Sequence, residues 1–216
     1  VKKLKIDIVS DVMCPWCVIG YRALAQALEN LDSEVEAELH WQPFELAPEM
    51  PPEGEDLAEH LQRKYRMTAE QGVANRAMIT ERAAALGFTM NFFEGMKKYN
   101  TFDAHRLLHW AGEEGKQTEL KQALFKHYFT DGGDPSDKAD LLTVAASVGL
   151  DVGRAQDVLD SGLYGQHVRA MQAHYHNMGV QSVPTFVINE RYLITGGQPV
   201  EQFEQALRQI ALKENQ

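Results

Sequence analysis

Cysteine is almost absent from this chain: there are two in 216 residues, Cys14 and Cys17. So few exclude a disulfide-stapled secreted scaffold. Long apolar runs are missing as well. No stretch approaches the roughly 18 residues that cross a bilayer, so no membrane partner is expected. Basic runs are also lacking. Lys and Arg total 21 against 31 Asp and Glu, a formal charge of −10, which argues against nucleic acid as a partner. There is no repeat and no low-complexity tract. No leader pattern stands before the cysteines, because residues 1–11 read as a strand. A cytoplasmic location is therefore expected, although a chain without an initiator Met would keep no trace of a leader already removed. What is present is ordinary for a globular protein, 44% hydrophobic and 24% charged, with length enough to bury a core without staples or a structural metal.

Residues 3–10 alternate, with Leu4, Ile6 and Ile8 on one side and Lys5, Asp7 and Val9 on the other. This predicts a strand. A helix is expected from Pro15, with Val18, Tyr21, Leu24, Ala25 and Leu28 recurring at three and four. A second strand follows over 35–44. A strand–helix–strand unit of this size implies parallel pairing by a right-handed crossover. Four prolines within 43–52 then mark the clearest boundary. From 56 to about 177 only helical patterns are visible, at 57–65, 69–86, 101–114, 119–130, 137–148, 151–161 and 164–177. Strand character returns at 182–189, with a hairpin partner at 191–195 across Asn189-Glu190. A closing helix covers 200–212. The expected architecture is α/β: residues 1–50 and 178–216 form one small domain, and a helical domain, 51–177, is inserted in its middle.

Cys14-Pro15-Trp16-Cys17 lies where a strand hands over to a helix. A helix start carries unpaired N–H groups and partial positive charge, and Pro15 suits its first position. Cys14 then falls at the N-cap, where its sulfur can accept from first-turn N–H groups and a thiolate is favoured. Cys17 lies one turn further in, placed to attack a mixed disulfide on Cys14. The chemistry calls for one exposed and one recessed cysteine. A zinc half-site is the competing reading, but a full site needs two more ligands and there is no second CxxC. The eight histidines, His105 and His109 among them, read more simply as surface or helix-face residues. No metal is expected.

Ser182-Val183-Pro184-Thr185 precedes an apolar run. Its proline is either a plain strand start or a cis bond at a site that exposes backbone groups; the residues alone leave both open.

Together these segments resemble the thioredoxin superfamily, in its DsbA-type branch with a helical insertion. More narrowly, the chain is similar to the FrnE-like oxidoreductases. The resemblance rests on Asp11-Val-Met-Cys-Pro-Trp-Cys-Val-Ile-Gly, Trp41-Gln-Pro-Phe-Glu-Leu-Ala-Pro, Asn100-Thr-Phe-Asp-Ala-His-Arg-Leu, Gly179-Val-Gln-Ser-Val-Pro-Thr-Phe-Val-Ile and Thr195-Gly-Gly-Gln-Pro. It implies that Cys14 attacks and Cys17 resolves, forming a redox-active Cys14–Cys17 disulfide with no tightly bound cofactor. It implies support from Pro15, Trp16, Val183 and a cis Pro184. It places Phe44, Asn100, Thr101, His105 and Ser182 at the substrate cleft, although Phe44 could equally be core and Asn100 or Thr101 a helix cap. Unlike the periplasmic DsbA pattern, the Pro-Trp dipeptide has no histidine.

The implied function is thiol–disulfide oxidoreduction on disulfide-containing proteins or small thiols, in the reductase or isomerase direction, with glutathione a candidate co-substrate. The alternative is a glutathione-dependent isomerase or transferase like the 2-hydroxychromene-2-carboxylate isomerases and kappa-class transferases, where a Ser commonly replaces the nucleophile. No apolar seam demands an oligomer, so a monomer or a homodimer is expected.

Overall fold

A computed structural model describes residues 1–214. The chain opens with strand β1 (Lys2–Ser10), helix α1 (Pro15–Asn30) and strand β2 (Val35–Pro43). Strands β1 and β2 are parallel, in register from Lys2 opposite Val35 to Ser10 opposite Pro43. Pro15 sits in the first turn of α1, where its fixed φ helps and its missing N–H costs nothing.

The middle block runs β3 (Glu55–Asp56), α2 (Leu57–Tyr65), α3 (Ala69–Ala85), β4 (Lys97–Lys98), α4 (Phe102–Glu113) and α5 (Gln117–Phe125). It continues through a π-helical turn, Lys126–Thr130, into α6 (Lys138–Ser147), α7 (Val152–Asp160) and α8 (Gly165–Asn177). The expectation of helix alone is therefore corrected. The strands β3 and β4 pair antiparallel over two residues each, too short for any alternation to register. The helix expected over 119–130 is α5 followed by the wider π turn. Several starts carry their own caps: the side chains of Thr68, Asp137 and Asp151 accept from first-turn N–H groups.

Strand β5 (Thr185–Ile188) pairs antiparallel with β1, and β6 (Tyr192–Thr195) with β5, giving the order β2-β1-β5-β6. Asn189 and Glu190 at the hairpin tip both have positive φ, 50° and 56°, as a type I′ turn requires. Helix α9 (Val200–Lys213) closes the fold and packs against α1.

The sheet is covered on both faces, which the alternation in β1 does not announce. Leu4, Ile6 and Ile8 join a large core with α1, α9 and the middle helices. Val9, from the other face, packs with Tyr175 of α8, Val180 and Val187. Helix α5 also binds the outer edge of β2. The Gln117 amide accepts from Trp41 N–H (2.9 Å) and donates to Trp41 C=O (3.2 Å), while Trp41 Nε1 donates to Thr118 Oγ1 (3.0 Å). The edge is thereby satisfied at Trp41, and Gln122 Nε2 of α5 donates to the Tyr21 hydroxyl of α1 (3.3 Å).

Candidate active site

The β1–α1 turn carries both cysteines. Cys14 is the N-cap of α1, with φ −94° and ψ 111°, but its sulfur makes no cap hydrogen bond. The thiol donates instead to the carbonyl of Val183, with sulfur and oxygen 3.7 Å apart. The Val183–Pro184 bond is cis. Gly20 lets this loop approach: a Cβ there would fall 3.0 Å from Pro184 Cγ. Trp16 lies half-buried, with the Arg82 guanidinium 5.5 Å from its ring centroid and Gly197 close beside it.

Both thiols are free. Cys14 is 4% exposed and Cys17 fully buried. The order of exposure is as expected, but Cys14 is not open. The Val183 carbonyl meets its sulfur, and the charge of Lys98 acts on it from the helical block.

Beneath the cysteines lies a cluster of buried charge. Asp11 is wholly buried. Its Oδ1 accepts from Val12 N–H (2.8 Å) and lies 3.3 Å from His105 Nε2, and its Oδ2 accepts from Leu46 N–H (2.8 Å). His105 Nε2 also donates to the carbonyl of Phe44 (2.9 Å). Lys98 Nζ donates to the carbonyl of Met13 (3.0 Å). Lys121, on α5, is 1% exposed, and its ammonium lies over the rings of Trp41 (5.1 Å) and Phe125 (5.2 Å).

This setting splits the two thiols. Burial pushes Cys14 up, but the Cys17 thiol, the Cys17 backbone N–H and the Lys98 ammonium outweigh it, against Asp11. Cys14 therefore sits below the ordinary thiol value. The Cys17 N–H acts as a nearby dipole rather than a cap hydrogen bond, since it donates to the Cys14 carbonyl at 3.1 Å. Cys17 goes the other way: burial, then the hydrogen bond and charge of Cys14, raise it well above the ordinary value. Burial lowers Lys98, with Cys14 and Asp11 opposing. It brings Lys121 down to about 8 against the attraction of Cys17, Asp11 and Cys14. Burial would raise Asp11, but His105 and the Leu46 N–H hold it below the usual carboxyl value.

The other expected residues fall into two groups. Phe44 contributes its carbonyl, while its half-buried ring packs against the cluster of Val9, Tyr175, Val180 and Val187. His105 is buried, not on the surface, because Asp11 and Phe44 hold its ring in place. Arg106, the next residue on α4, is buried in a socket of carbonyls. Asn100 Oδ1 accepts from Phe102 N–H at the start of α4 (3.0 Å), and its Nδ2 donates to Pro48 C=O (3.3 Å). Thr101 is buried at the N-cap without a cap hydrogen bond. Ser182 is exposed, and its carbonyl accepts from Thr185 Oγ1 (2.8 Å). Among the described residues, no three His, Cys, Asp or Glu side chains come together as a metal site.

Lys98 and Lys121 are not among the residues that the sequence predicts for the site. Lys121 had one signal, a lysine four residues before Phe125 on a helix face otherwise filled by Leu120 and Leu124. Lys98, in a two-residue strand beside Lys97, had none.

Known proteins agree with this architecture. Residues 5–208 match the DSBA-like thioredoxin domain family, and the chain belongs to it. A probable DsbA oxidoreductase of Streptomyces coelicolor superposes with a TM-score of 0.90 at 33% identity, covering 98% of this chain and 91% of that one. The uncharacterized protein YwbO of Bacillus subtilis is 29% identical over 203 residues, 94% of each chain. A 2-hydroxychromene-2-carboxylate isomerase shares the fold with a TM-score of 0.74 at 14% identity, covering 98% of both chains.

Proposed function

We propose, from this family membership and this geometry, that the chain is a dithiol–disulfide oxidoreductase. Cys14 attacks a substrate disulfide, breaking its S–S bond and releasing one substrate thiolate. Cys17 then attacks the Cys14 sulfur of the mixed disulfide. The second substrate thiolate leaves, and the Cys14–Cys17 disulfide forms. The substrate gains the two electrons that the dithiol loses.

The observation that carries this reading is the split pair: a Cys14 thiol held below its ordinary value beside Val183 and Pro184, with Cys17 wholly buried behind it. A lowered attacking thiol and a recessed resolving thiol are what thiol–disulfide exchange needs. Substrates are disulfide-bearing proteins or small disulfides, and glutathione, a thiol on a short peptide, fits as electron donor. In a reducing cytoplasm the net direction is reduction or isomerisation. Phe44, Asn100, Thr101 and Ser182 belong to the cleft wall in this reading. Residues 1–50 and 178–216 form the redox domain, and the inserted domain, 51–177, supplies Lys98, His105 and Lys121 to its cysteines.

A glutathione-dependent isomerase shares this fold, so fold alone does not decide. Cys17 does, because that glutathione-dependent chemistry has no use for a resolving thiol. The experiment is a redox titration in graded glutathione buffers, with free thiols alkylated and counted by mass. A reversible two-electron transition is expected, lost in Cys17→Ser. A stable glutathione adduct on Cys14 at every ratio, with no internal disulfide, would sink the proposal.

A further inference from the structure

Beside the cysteine pair stands a cation that the protein itself leaves unpaired. Arg82, in the last turn of α3, is exposed. Its guanidinium carbon lies 5.5 Å from the centroid of the Trp16 ring. Trp16 stands between the two cysteines, about 3 Å of helix rise beyond Cys14. Its ring is packed in place, since a Cβ on Gly197 would meet Trp16 Cε3 at 3.2 Å and the Trp16 carbonyl at 3.3 Å. Four other exposed arginines are taken up by carboxylates: Arg63 by Glu55, Arg154 by Glu114, Arg169 by Glu45 and Arg208 by Glu34. Arg82 makes no hydrogen bond and no ion pair with any described residue. It donates to none of the last carbonyls of its own helix, so capping does not account for its position.

We infer that Arg82 binds a carboxylate of the disulfide that Cys14 attacks, so that the site selects substrates with an acidic group close to the S–S bond. The inference rests on the dithiol reading above and names its substrate class. The bonds broken and formed are those already described. Arg82 adds an ion pair at the encounter, and the fork of its guanidinium fits both oxygens of a carboxylate. The contact with Trp16 limits where the guanidinium can go, and its N–H donors stay free for the substrate.

The surroundings support this. The whole chain carries a formal charge of −10 and repels an acidic substrate; a free cation beside the reacting sulfur offsets that repulsion where it matters. Lys98, also from the helical block, donates to the carbonyl of Met13 (3.0 Å), directly before Cys14, so positive charge lies behind the turn as well as beside it. The nearby carboxylate does not cancel it from the substrate side. Asp11 is wholly buried, its oxygens engaged by Val12 N–H, Leu46 N–H and His105. Two kinds of substrate carry the required group: a small acidic disulfide, such as oxidised glutathione, and an acidic segment of a protein. Their shared chemistry is a carboxylate next to the disulfide.

The test compares the reduced protein's first reaction with two reagents, dithiobis-nitrobenzoate, which has a carboxylate on each ring, and dithiodipyridine, which has none. The readout is the ratio of the two rates, acidic over neutral. Arg82→Gln should lower that ratio about fivefold and Arg82→Glu should lower it further. Arg82→Lys keeps the charge but not the fork, so its ratio should fall between those of the glutamine variant and the unaltered protein. A displaced Trp16 or an altered Cys14 thiol would move both rates together and leave the ratio as it was. An unchanged ratio in the glutamine and glutamate variants overturns the inference. In the unaltered protein the ratio should also fall as salt rises from about 10 mM to 1 M; a ratio that rises would mean that the net charge governs approach, and overturns it too. Arg82→Gln is then tried on oxidised glutathione and on a peptide disulfide flanked by glutamates. Slower reduction of one of them assigns the carboxylate to that source, and slower reduction of neither overturns the inference. An unaltered protein that reacts with these reagents but forms no Cys14–Cys17 disulfide would sink the dithiol reading instead, with the ratio still left to judge Arg82.

Discussion

Two buried cations, Arg106 and Lys121, sit on neighbouring helices of this protein and are treated in opposite ways. Arg106, on α4, is wrapped in acceptors. Its Nε donates to Leu163 C=O (2.9 Å), its Nη2 to Val158 and Ser161 C=O (2.5 Å each), and its Nη1 to Asp103 (2.8 Å). The guanidinium thereby ties α4 to the end of α7 and to the turn before α8. Lys121, on α5, has aromatic faces and thiols for company, and no described hydrogen bond. A fully satisfied buried charge is a structural tie. A poorly satisfied one destabilises the folded state, and its place beside a reactive group is what explains its presence. The two lysines around the cysteines are tuned down by burial, and both come from the helical block. In this molecule the helical block brings its own buried charge to the cysteine pair.

That contrast breaks most sharply at Arg106. Arg106→Met takes a buried donor from three carbonyls and should cost about 3–5 kcal/mol in denaturant unfolding. The rate of Cys14 alkylation should stay unchanged in the fraction that folds. An Arg106 variant that is stable but altered at Cys14 would erase the distinction. Lys121→Met should act with the opposite sign. The folded pKa of Lys121, about 8, lies below its ordinary 10.5, so unfolding takes up protons between these values. The penalty is therefore complete below about pH 8 and fades as pH rises to about 10.5. Removing the lysine should stabilise the reduced protein by about 3 kcal/mol near neutrality, and by little at the alkaline end. Melting temperatures of both proteins across that range check it; a destabilised variant at neutral pH would contradict it.

Asp11 stands between the two cases, satisfied by two backbone N–H groups and His105 yet facing the cysteines. Its folded pKa is lowered. Its contribution to stability is thus present above the ordinary carboxyl value and lost as pH falls through the folded one. Asp11→Asn turns an amide NH₂ toward one of these donors and should cost about 1–3 kcal/mol, with a flatter acid limb in the unfolding profile. Because Asp11 opposes the lowering of Cys14, the variant's Cys14 thiol should titrate lower still, as read by alkylation rate against pH.

The opening strand–helix–strand unit was legible because its periods are clean: alternation through Leu4, Ile6 and Ile8, a proline at the first helical position, and a second alternating run ending at the prolines. The cysteine pair was legible because two residues between cysteines at a helix start have few other uses. The charge beneath it was not. His105 and Arg106 are adjacent polar residues on one helix, and nothing in their order says that one supports Asp11 while the other holds a set of carbonyls 52 to 57 positions onward. Lys121 reads as one charged residue on an amphipathic helix, and only the docking of Gln117 and Thr118 on Trp41 brings it over the site. Non-local burial decides these roles, and a sequence period carries no record of it.

The smallest expected effect tests how closely the helix start and the cis-proline loop fit. Alanine at Gly20 would gain about 1 kcal/mol of helix propensity. Its Cβ would lie 3.0 Å from Pro184 Cγ and 3.1 Å from the Phe186 ring. Neither is the free end of a flexible chain, so the loop must shift by some tenths of an ångström. The gain and the overpacking should nearly cancel, leaving stability within about 1 kcal/mol of the unaltered protein. The chemistry should still respond, because Val183 in that loop accepts from the Cys14 thiol and covers it. Gly20→Ala should speed Cys14 alkylation by a small factor at fixed pH. If the variant instead gains the full propensity and alkylates at the original rate, the loop is not what shields Cys14. The cover would then have to come from the Lys98 side, that is, from the helical block.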